Sequence, residues 1–259
     1  MSKKFGLILG SGGSRGFAHI GFLQALEENG IKPDVLTGCS IGSVIGAVYL
    51  TGLSPRQMKN IAFRLKKNDL IDVTLNVFKK MSVLKSAKLE QQLFKYIGNK
   101  TFADLPIPFA TIATDLVTGK LVTFTEGDLL TAVKASSSIP AVFSPVKKDG
   151  MFLVDGGLLS RTPVAAAKDL GAEVTVAVDL LGNLPEYTDV KNIIQLAVRA
   201  IDVGDHRDQK LRRRDTPDLM LNPDLKGISQ YKIDNQQFCY DTGYQLGLDY
   251  VERIKELIG

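Results

Sequence analysis

The sequence Val35-Leu36-Thr37-Gly38-Cys39-Ser40-Ile41-Gly42 places an apolar run directly before a serine bracketed by glycines. Small residues follow from Ser43 to Leu50, so the pattern predicts a buried strand, a sharp turn and a helix. A G-x-S-x-G motif in that setting is typical of a nucleophile elbow, where the glycines let the chain turn and leave the serine hydroxyl exposed. The motif also fits a glycine-lined turn around an inert serine, so both interpretations stay open until partners for Ser40 are found.

Apolar runs and helical patterns alternate along the rest of the chain, which predicts an α/β domain with a mainly parallel sheet and helices on both faces. The predicted strands are 5–9, 34–37, 109–114, 121–124, 151–154, 174–178 and 219–221. The predicted helices cover about 17–29, 43–51, 55–65, 131–138, 164–170, 190–203 and 235–257. The region 70–84 has the least regular pattern.

The composition is that of an ordinary globular protein. With 259 residues, 44% of them hydrophobic and 23% charged, the chain is long enough to bury a large core, and we expect a single domain over 1–259. Cys39 and Cys239 cannot form a disulfide framework, which favours a cytoplasmic location. The apolar run 5–9 is too short for a signal peptide, and no apolar window is long enough to span a membrane, so we expect neither.

The charge is uneven although the formal net charge is only +4. From Arg56 to Lys100 the sequence has eleven Lys or Arg residues against three Asp or Glu residues. Mixed with apolar residues, this basic segment fits a lid or an interfacial patch attracted to anionic lipid heads. It fits equally a helical excursion whose lysines are only solvated. We expect no nucleic-acid partner.

Three predicted strands end in unusual residues: the glycine turn 10–16, Ser40, and Asp155 before two glycines. Functional groups collect at strand ends in such sheets. The glycine turn is not a dinucleotide fingerprint, because Arg15 stands where a glycine is required, and it lacks the G-K-[ST] of a P-loop. What remains is a loop of backbone N–H groups at a helix N-terminus, which suits an oxyanion.

A nucleophilic serine needs a group that accepts its proton. Asp155 ends a buried run and precedes Gly156-Gly157, which makes it the favoured base, although an Asp-Gly turn is a simpler interpretation. His206 lies in a polar stretch with no strand end nearby, and His19 fits a satisfied or surface histidine. Cys39 fits a buried filler at the turn.

The three motifs, in this order, resemble those of the patatin-like phospholipase family: a G-G-G-x-[KR]-G loop, G-x-S-x-G, and D-G-[GA]. They stand here as Ser11-Gly12-Gly13-Ser14-Arg15-Gly16, Gly38-Cys39-Ser40-Ile41-Gly42 and Asp155-Gly156-Gly157. The stretch 135–145 also looks like that family's region before the aspartate strand, and 222–225 suggests its small bacterial members. Ser11 replaces the first loop glycine, which leaves the backbone donors but can alter the loop's conformation.

The resemblance implies a three-layer α/β/α sandwich and hydrolysis of a phospholipid, lysophospholipid or related lipid ester without a metal or cofactor. By analogy, Ser40 is the nucleophile and Asp155 its base, with no histidine. Gly12 and Gly13 form the oxyanion hole, and Arg15 stabilises the loop or a substrate phosphate. Separately, the basic segment from Arg56 to Lys100 allows peripheral contact with an anionic membrane surface. Two alternatives are a catalytically weak regulatory or lipid-binding protein with the same fold and, disfavoured by the broken fingerprint, a nucleotide-binding protein.

Overall fold

The computed structural model describes residues 2–64, 72–73, 84–85, 87–182, 196, 199–201, 203–204, 216–225, 227–230 and 232–259. The strands there are β1 (Phe5–Leu9), β2 (Val35–Gly38), β3 (Asp72–Val73), β4 (Leu84–Lys85), β5 (Phe109–Asp115), β6 (Lys120–Phe124), β7 (Val146–Lys148), β8 (Met151–Asp155), β9 (Val174–Val178) and β10 (Leu219–Leu221). The helices are α1 (Phe17–Glu28), α2 (Ile41–Leu50), α3 (Pro55–Ala62), α4 (Ala87–Ile97), α5 (Leu129–Ser136), α6 (Val164–Asp169) and α7 (Gln236–Ile258). Most of the predicted helix 190–203 and the centre of the basic segment lie outside the described residues.

Within that part of the chain, eight strands form one mixed sheet in the order β10-β9-β1-β2-β5-β8-β7, with β6 paired to β5. The strands β10, β9, β1, β2 and β5 are parallel, whereas β6 and β8 run against β5. The residues of β1, β2 and β9 are buried throughout, which explains their uninterrupted apolar sequences.

Helices cover both faces of the sheet. Phe5, Leu7 and Leu9 of β1 belong to the main core, together with apolar residues of α1, α2, α5 and α7. Ile8, which points the other way, packs in a second cluster with Val164 of α6. The predicted three-layer α/β/α architecture is therefore confirmed, although the antiparallel direction of β8 was not predicted.

The strand β5 brings the ends of β2 and β8 together. Thr111 pairs with Gly38 of β2 on one edge and with β6 on the other. Two residues further along, Ala113 pairs with Asp155 of β8, again opposite β6. Because β2 runs parallel to β5 and β8 runs antiparallel to it, the two strands share one edge of β5 and meet with their carboxyl ends facing.

The contact between α1 and α7 depends on glycine. A Cβ atom placed on Gly21 would lie 2.1 Å from the carbonyl oxygen of Tyr240, and one on Gly243 would lie 2.0 Å from that of Ala18. The two helices therefore approach until their backbones touch. Among the described residues no helix, including the polar α7, has the length and apolar composition needed to cross a membrane.

Substituting Gly243→Ala is expected to lower the free energy of unfolding by about 1–3 kcal/mol, because the new methyl group meets backbone that cannot turn away. Chemical denaturation measures the loss. Gln245→Ala, on the exposed side of the same helix, is the control and should change stability by less than about 0.5 kcal/mol. Equal stability of the Gly243→Ala variant and the wild type would contradict the close helix contact.

Candidate active site

Ser40 occupies a strained turn between β2 and α2, with φ 53° and ψ −122°. Both neighbouring glycines are sterically required. A Cβ atom on Gly42 would lie 2.0 Å from the carbonyl oxygen of Leu9, and one on Gly38 would lie 2.6 Å from backbone atoms of Gly42. A non-glycine residue with positive φ costs free energy and persists only where its surroundings hold it, as at functional sites.

The hydroxyl of Ser40 donates a hydrogen bond to Asp155, with 2.5 Å between Oγ and Oδ2. The other carboxylate oxygen, Oδ1, accepts the backbone N–H of Gly157 at 2.8 Å and lies 3.9 Å from Sγ of Cys39. Ser40 and Asp155 are only 5% and 6% exposed, so water competes little for this bond. A carboxylate oriented in this way can accept the proton of a serine hydroxyl.

Three consecutive serines at the end of α5, Ser136 to Ser138, contact both residues. The N–H of Ser40 donates to Oγ of Ser136 at 3.0 Å, and the hydroxyl of Ser137 donates to the Ser40 carbonyl at 3.3 Å. The carbonyl of Ser138 accepts the N–H of Asp155 at 2.9 Å. The stretch 135–145, which the sequence marked only by resemblance, therefore supports both sides of the junction between β2 and β8.

Removing one of these supports by Ser136→Ala is expected to lower the free energy of unfolding by about 1–3 kcal/mol, because it leaves the buried N–H of Ser40 without its acceptor. Ser138→Ala is the matched control. Its hydroxyl only donates back to the carbonyl of Lys134 within the helix, so its loss should cost less. Urea denaturation of the two variants measures the difference, and equal losses would contradict this role of Ser136.

The glycine turn 10–16 contacts the elbow and the aspartate turn. A Cβ atom on Gly16 would lie 2.3 Å from Ile41, the residue after Ser40. A Cβ atom on Gly157 would lie 3.2 Å from Oγ of Ser11 and 3.0 Å from Oδ1 of Asp155. The structure thus brings the three sequence motifs together.

Several backbone bonds hold this turn in place. The N–H groups of Gly10, Ser11 and Ser14 donate to the carbonyls of Val178, Arg161 and Gln230, respectively. In contrast, the N–H groups of Gly12 and Gly13 donate to none of the described residues. Gly13 has φ 57°, and a Cβ atom there would lie 2.4 Å from the carbonyl oxygen of Gln230, so only glycine fits.

Arg15 is buried, and its guanidinium group contacts backbone carbonyls. Nε and Nη2 donate to the carbonyl of Ile228 at 3.0 and 2.7 Å, and Nη1 donates to that of Leu180 at 2.8 Å. Arg15 thereby ties the glycine turn to the segments after β9 and β10.

His19 is fully buried in α1 and contacts the start of the glycine turn, since its Nε2 lies 2.8 Å from the carbonyl oxygen of Gly10. Burial lowers the pKa of His19 to about 4, despite the opposing effect of that hydrogen bond. The histidine is therefore neutral near pH 7, with Nε2 as the donor. It has no hydrogen bond to Ser40 or Asp155 among the described contacts, and His206 lies outside the described residues.

Because the pKa of His19 is about 4 in the fold and 6.5 in the unfolded chain, acid favours unfolding. The stabilisation is complete above pH 6.5 and is lost as the pH falls towards 4, with about 2 kcal/mol lost at pH 5. Denaturant unfolding at pH 7 and pH 5 measures this loss. His19→Gln keeps a donor for Gly10 but does not titrate, so it should lose less stability on acidification than the wild type; equal losses would be inconsistent with a buried neutral His19.

A buried ion pair next to the glycine turn was not predicted from the sequence. Nη2 of Arg161 lies 3.2 Å from Oδ2 of Asp179, and both side chains are at most 3% exposed. The carbonyl of Arg161 also accepts the N–H of Ser11. Asp179 directly follows β9, so the strand-end argument that singled out Asp155 could have found it too.

Comparison with known proteins places the chain in a family. The family model for patatin-like phospholipase matches residues 7–168. An uncharacterised NTE family protein of Mycobacterium tuberculosis is 36% identical over 182 residues, covering 70% of this chain and 50% of its own length. The lysophospholipase NTE1 of Coccidioides immitis is 28% identical over 281 residues, covering 98% of this chain and 18% of its own.

Among solved structures, VipD of Legionella pneumophila is similar, with a TM-score of 0.58 at 13% identity over 100% of this chain and 67% of that protein. At that identity the likeness concerns the fold alone. The α/β/α fold with its serine elbow and the family match together define the class: the chain belongs to the patatin-like phospholipase family. It spans about half of the length of the mycobacterial relative and less of the fungal one.

Proposed function

We propose that the chain is a serine acyl-ester hydrolase that acts on a phospholipid, lysophospholipid or related lipid ester through a Ser40–Asp155 dyad. The observation that carries the proposal is the 2.5 Å hydrogen bond from Oγ of Ser40 to Oδ2 of Asp155 inside a strained elbow. A buried carboxylate in direct contact with the hydroxyl can act as the general base that a histidine supplies in other serine hydrolases.

In the first step, Oγ of Ser40 attacks the ester carbonyl carbon while its proton passes to Oδ2 of Asp155. The tetrahedral intermediate then collapses, the bond to the alcohol breaks, and Asp155 returns the proton to the departing alcohol oxygen. A water molecule next attacks the acyl group on Ser40 and gives its proton to Asp155. Release of the fatty acid returns that proton to Ser40.

The oxyanion of both intermediates is assigned to the backbone N–H groups of Gly12 and Gly13. These groups donate to none of the described residues, while the N–H groups of neighbouring loop residues are engaged. Preorganised donors of this kind commonly supply a large part of catalysis. Arg15 is assigned to stabilising the loop rather than to binding a substrate phosphate, because it is buried and donates to two carbonyls.

A lipid ester is favoured as the substrate because a relative of this chain, the fungal NTE1, is named a lysophospholipase. The single domain over 1–259 and the cytoplasmic location stay predictions. Among the described residues, Cys39 and Cys239 are both buried and form no disulfide. Membrane contact by the basic segment also stays a prediction, since its residues 65–71, 74–83 and 86 lie outside the described part.

The alternative function is a catalytically weak regulatory or lipid-binding protein, favoured by Ser11 at the first loop glycine. Its N–H still donates to the carbonyl of Arg161, and its hydroxyl lies near Gly157, so the loop is held with serine in place. Turnover of an ester substrate separates this alternative from a hydrolase.

A fluorophosphonate probe is expected to label the wild-type protein on Ser40, because only an activated serine reacts readily with it. Ser40→Ala should abolish labelling. Asp155→Asn should lower the hydrolysis of a soluble ester by on the order of a thousandfold or more, since the amide cannot accept the proton.

The histidine variant His206→Ala is the control and should keep hydrolysis at near the wild-type rate. Unlabelled wild-type protein, or labelling that survives Ser40→Ala, would overturn the proposal. Loss of activity in His206→Ala with retention in Asp155→Asn would instead indicate a histidine-dependent triad.

A further inference from the structure

An exposed apolar tip lies at the end of the β5–β6 hairpin. Leu116 and Val117 are 50% and 63% exposed, and Leu121 is 41% exposed. Such residues are common singly, but neighbouring ones that protrude together mark interaction sites. We call the tip surface the set formed by these three residues with Lys120 of the same hairpin and Lys147 and Lys148 of β7.

Hydrogen bonds to Asp115 hold the turn that carries the apolar residues in one conformation. The carboxylate of Asp115 accepts the N–H groups of Val117 and Thr118 and the Thr118 hydroxyl, at 3.1, 3.2 and 2.8 Å. It also accepts the N–H of Phe152 at 3.0 Å. Burial alone would raise the pKa of Asp115, but these bonds hold it below its usual value. The charged carboxylate therefore fixes the turn, and Leu116 and Val117 remain directed outward.

Lysines border the apolar residues. The N–H of Leu116 donates to the carbonyl of Phe152 at 2.9 Å, and Lys147 pairs with Phe152 on the far side. Nζ of Lys147 lies 4.9 Å from the centre of the Phe152 ring. Lys148 forms an ion pair with Asp149. Asp149, next to the tip surface, is an exposed acidic side chain. With Lys120 and Lys147, the surface keeps a net positive charge.

The tip and the candidate active site both lie at the carboxyl ends of the parallel strands. Gly38, next to the elbow, pairs with Thr111, and the chain continues along β5 towards its carboxyl end and Leu116. Five residues of extended strand span about 17 Å. The tip thus extends beyond the carboxyl ends of the parallel strands.

We propose that the tip surface docks the chain on an anionic lipid surface, with Leu116 and Val117 entering the apolar boundary and the lysines contacting lipid phosphates. Protruding apolar residues with lysines beside them complement an anionic lipid interface. The three apolar side chains of the tip surface bury too little area for a stable protein interface. The proposal deepens the proposed function, since docking would present the site to lipid esters, but the binding itself does not require catalysis.

Sedimentation of the full chain with vesicles tests the proposal. The vesicles contain phosphatidylcholine alone or phosphatidylcholine mixed with phosphatidylglycerol. The wild type is expected to bind the mixed vesicles more strongly, with binding that weakens as salt is added. The double variant Leu116→Ser/Val117→Ser should bind about tenfold more weakly or worse, because it removes the apolar contribution. Lys120→Gln/Lys147→Gln should bind about tenfold more weakly and lose most of the salt dependence.

The controls are Leu248→Ser, an apolar residue 38% exposed on α7, and Lys32→Gln, an exposed lysine just before β2, at the amino ends of the parallel strands. Both should bind like the wild type. Unchanged binding of the tip variants, equal binding to neutral vesicles, or the same loss in the controls would each overturn the proposal. So would tip-dependent self-association without vesicle binding, which would indicate a second copy as the partner.

Hydrolysis of a soluble ester by the tip variants separates the two proposals. Rates at the wild-type level with reduced vesicle binding are expected. An inactive wild type that still binds vesicles through the tip would overturn the hydrolase alone.

Discussion

The candidate site depends on one arrangement of strands. The strands β2 and β8 share an edge of β5 and meet end to end, with Gly38 and Asp155 opposite positions only two residues apart. This junction brings Oγ of Ser40 and Oδ2 of Asp155 to 2.5 Å from each other, although the two residues are 115 positions apart in the chain. If β8 ran parallel to β2 as its neighbour, the two strand ends would lie beside each other at a strand spacing of about 4.8 Å and would not meet end to end.

The backbone of Ser40 is in an unfavourable conformation, and contacts with surrounding residues compensate for its free-energy cost. Ser40 has a positive φ, which costs on the order of 1–3 kcal/mol, and its polar backbone groups are buried. The serines at 136–138 satisfy those groups and also hold the backbone of Asp155. The glycine turn is held similarly, by bonds to the carbonyls of Val178, Arg161 and Gln230. Segments that are distant in the sequence thus stabilise one strained turn together.

The buried charged groups near the site are also compensated by their contacts. Arg15 and the Arg161–Asp179 pair are almost fully buried, where an uncompensated charge would be costly. Each contacts the glycine turn or the segments that anchor it. His19 is likewise buried and neutral against the carbonyl of Gly10. We infer that these residues keep the loop in one conformation, which preorganised oxyanion donors require.

Much of the fold could be predicted from local pattern. The uninterrupted apolar runs at 5–9 and 174–178 predicted buried strands, because strands covered on both faces have no polar side to alternate. The positions of Ser40 and Asp155 at strand ends were equally visible. The antiparallel direction of β8 was not predicted, since a strand's sequence does not show which way it runs beside a distant neighbour. The supporting residues Ser136 and Arg161 were missed for the same reason, as their contacts are made across the fold.

Residue types and their order along the chain were enough to indicate which side chains can do chemistry and where the chain must turn. Glycine at 38 and 42 belongs to the motif, because a Cβ atom on Gly42 would meet the carbonyl of Leu9 and one on Gly38 would meet the backbone of Gly42. The contact between Asp155 and Ser40 could be seen only in the fold, because it depends on the pairing register of β5 with two strands at once. Register is a property of long-range pairing and burial. The type of each residue is local, whereas its partner is set by the whole fold.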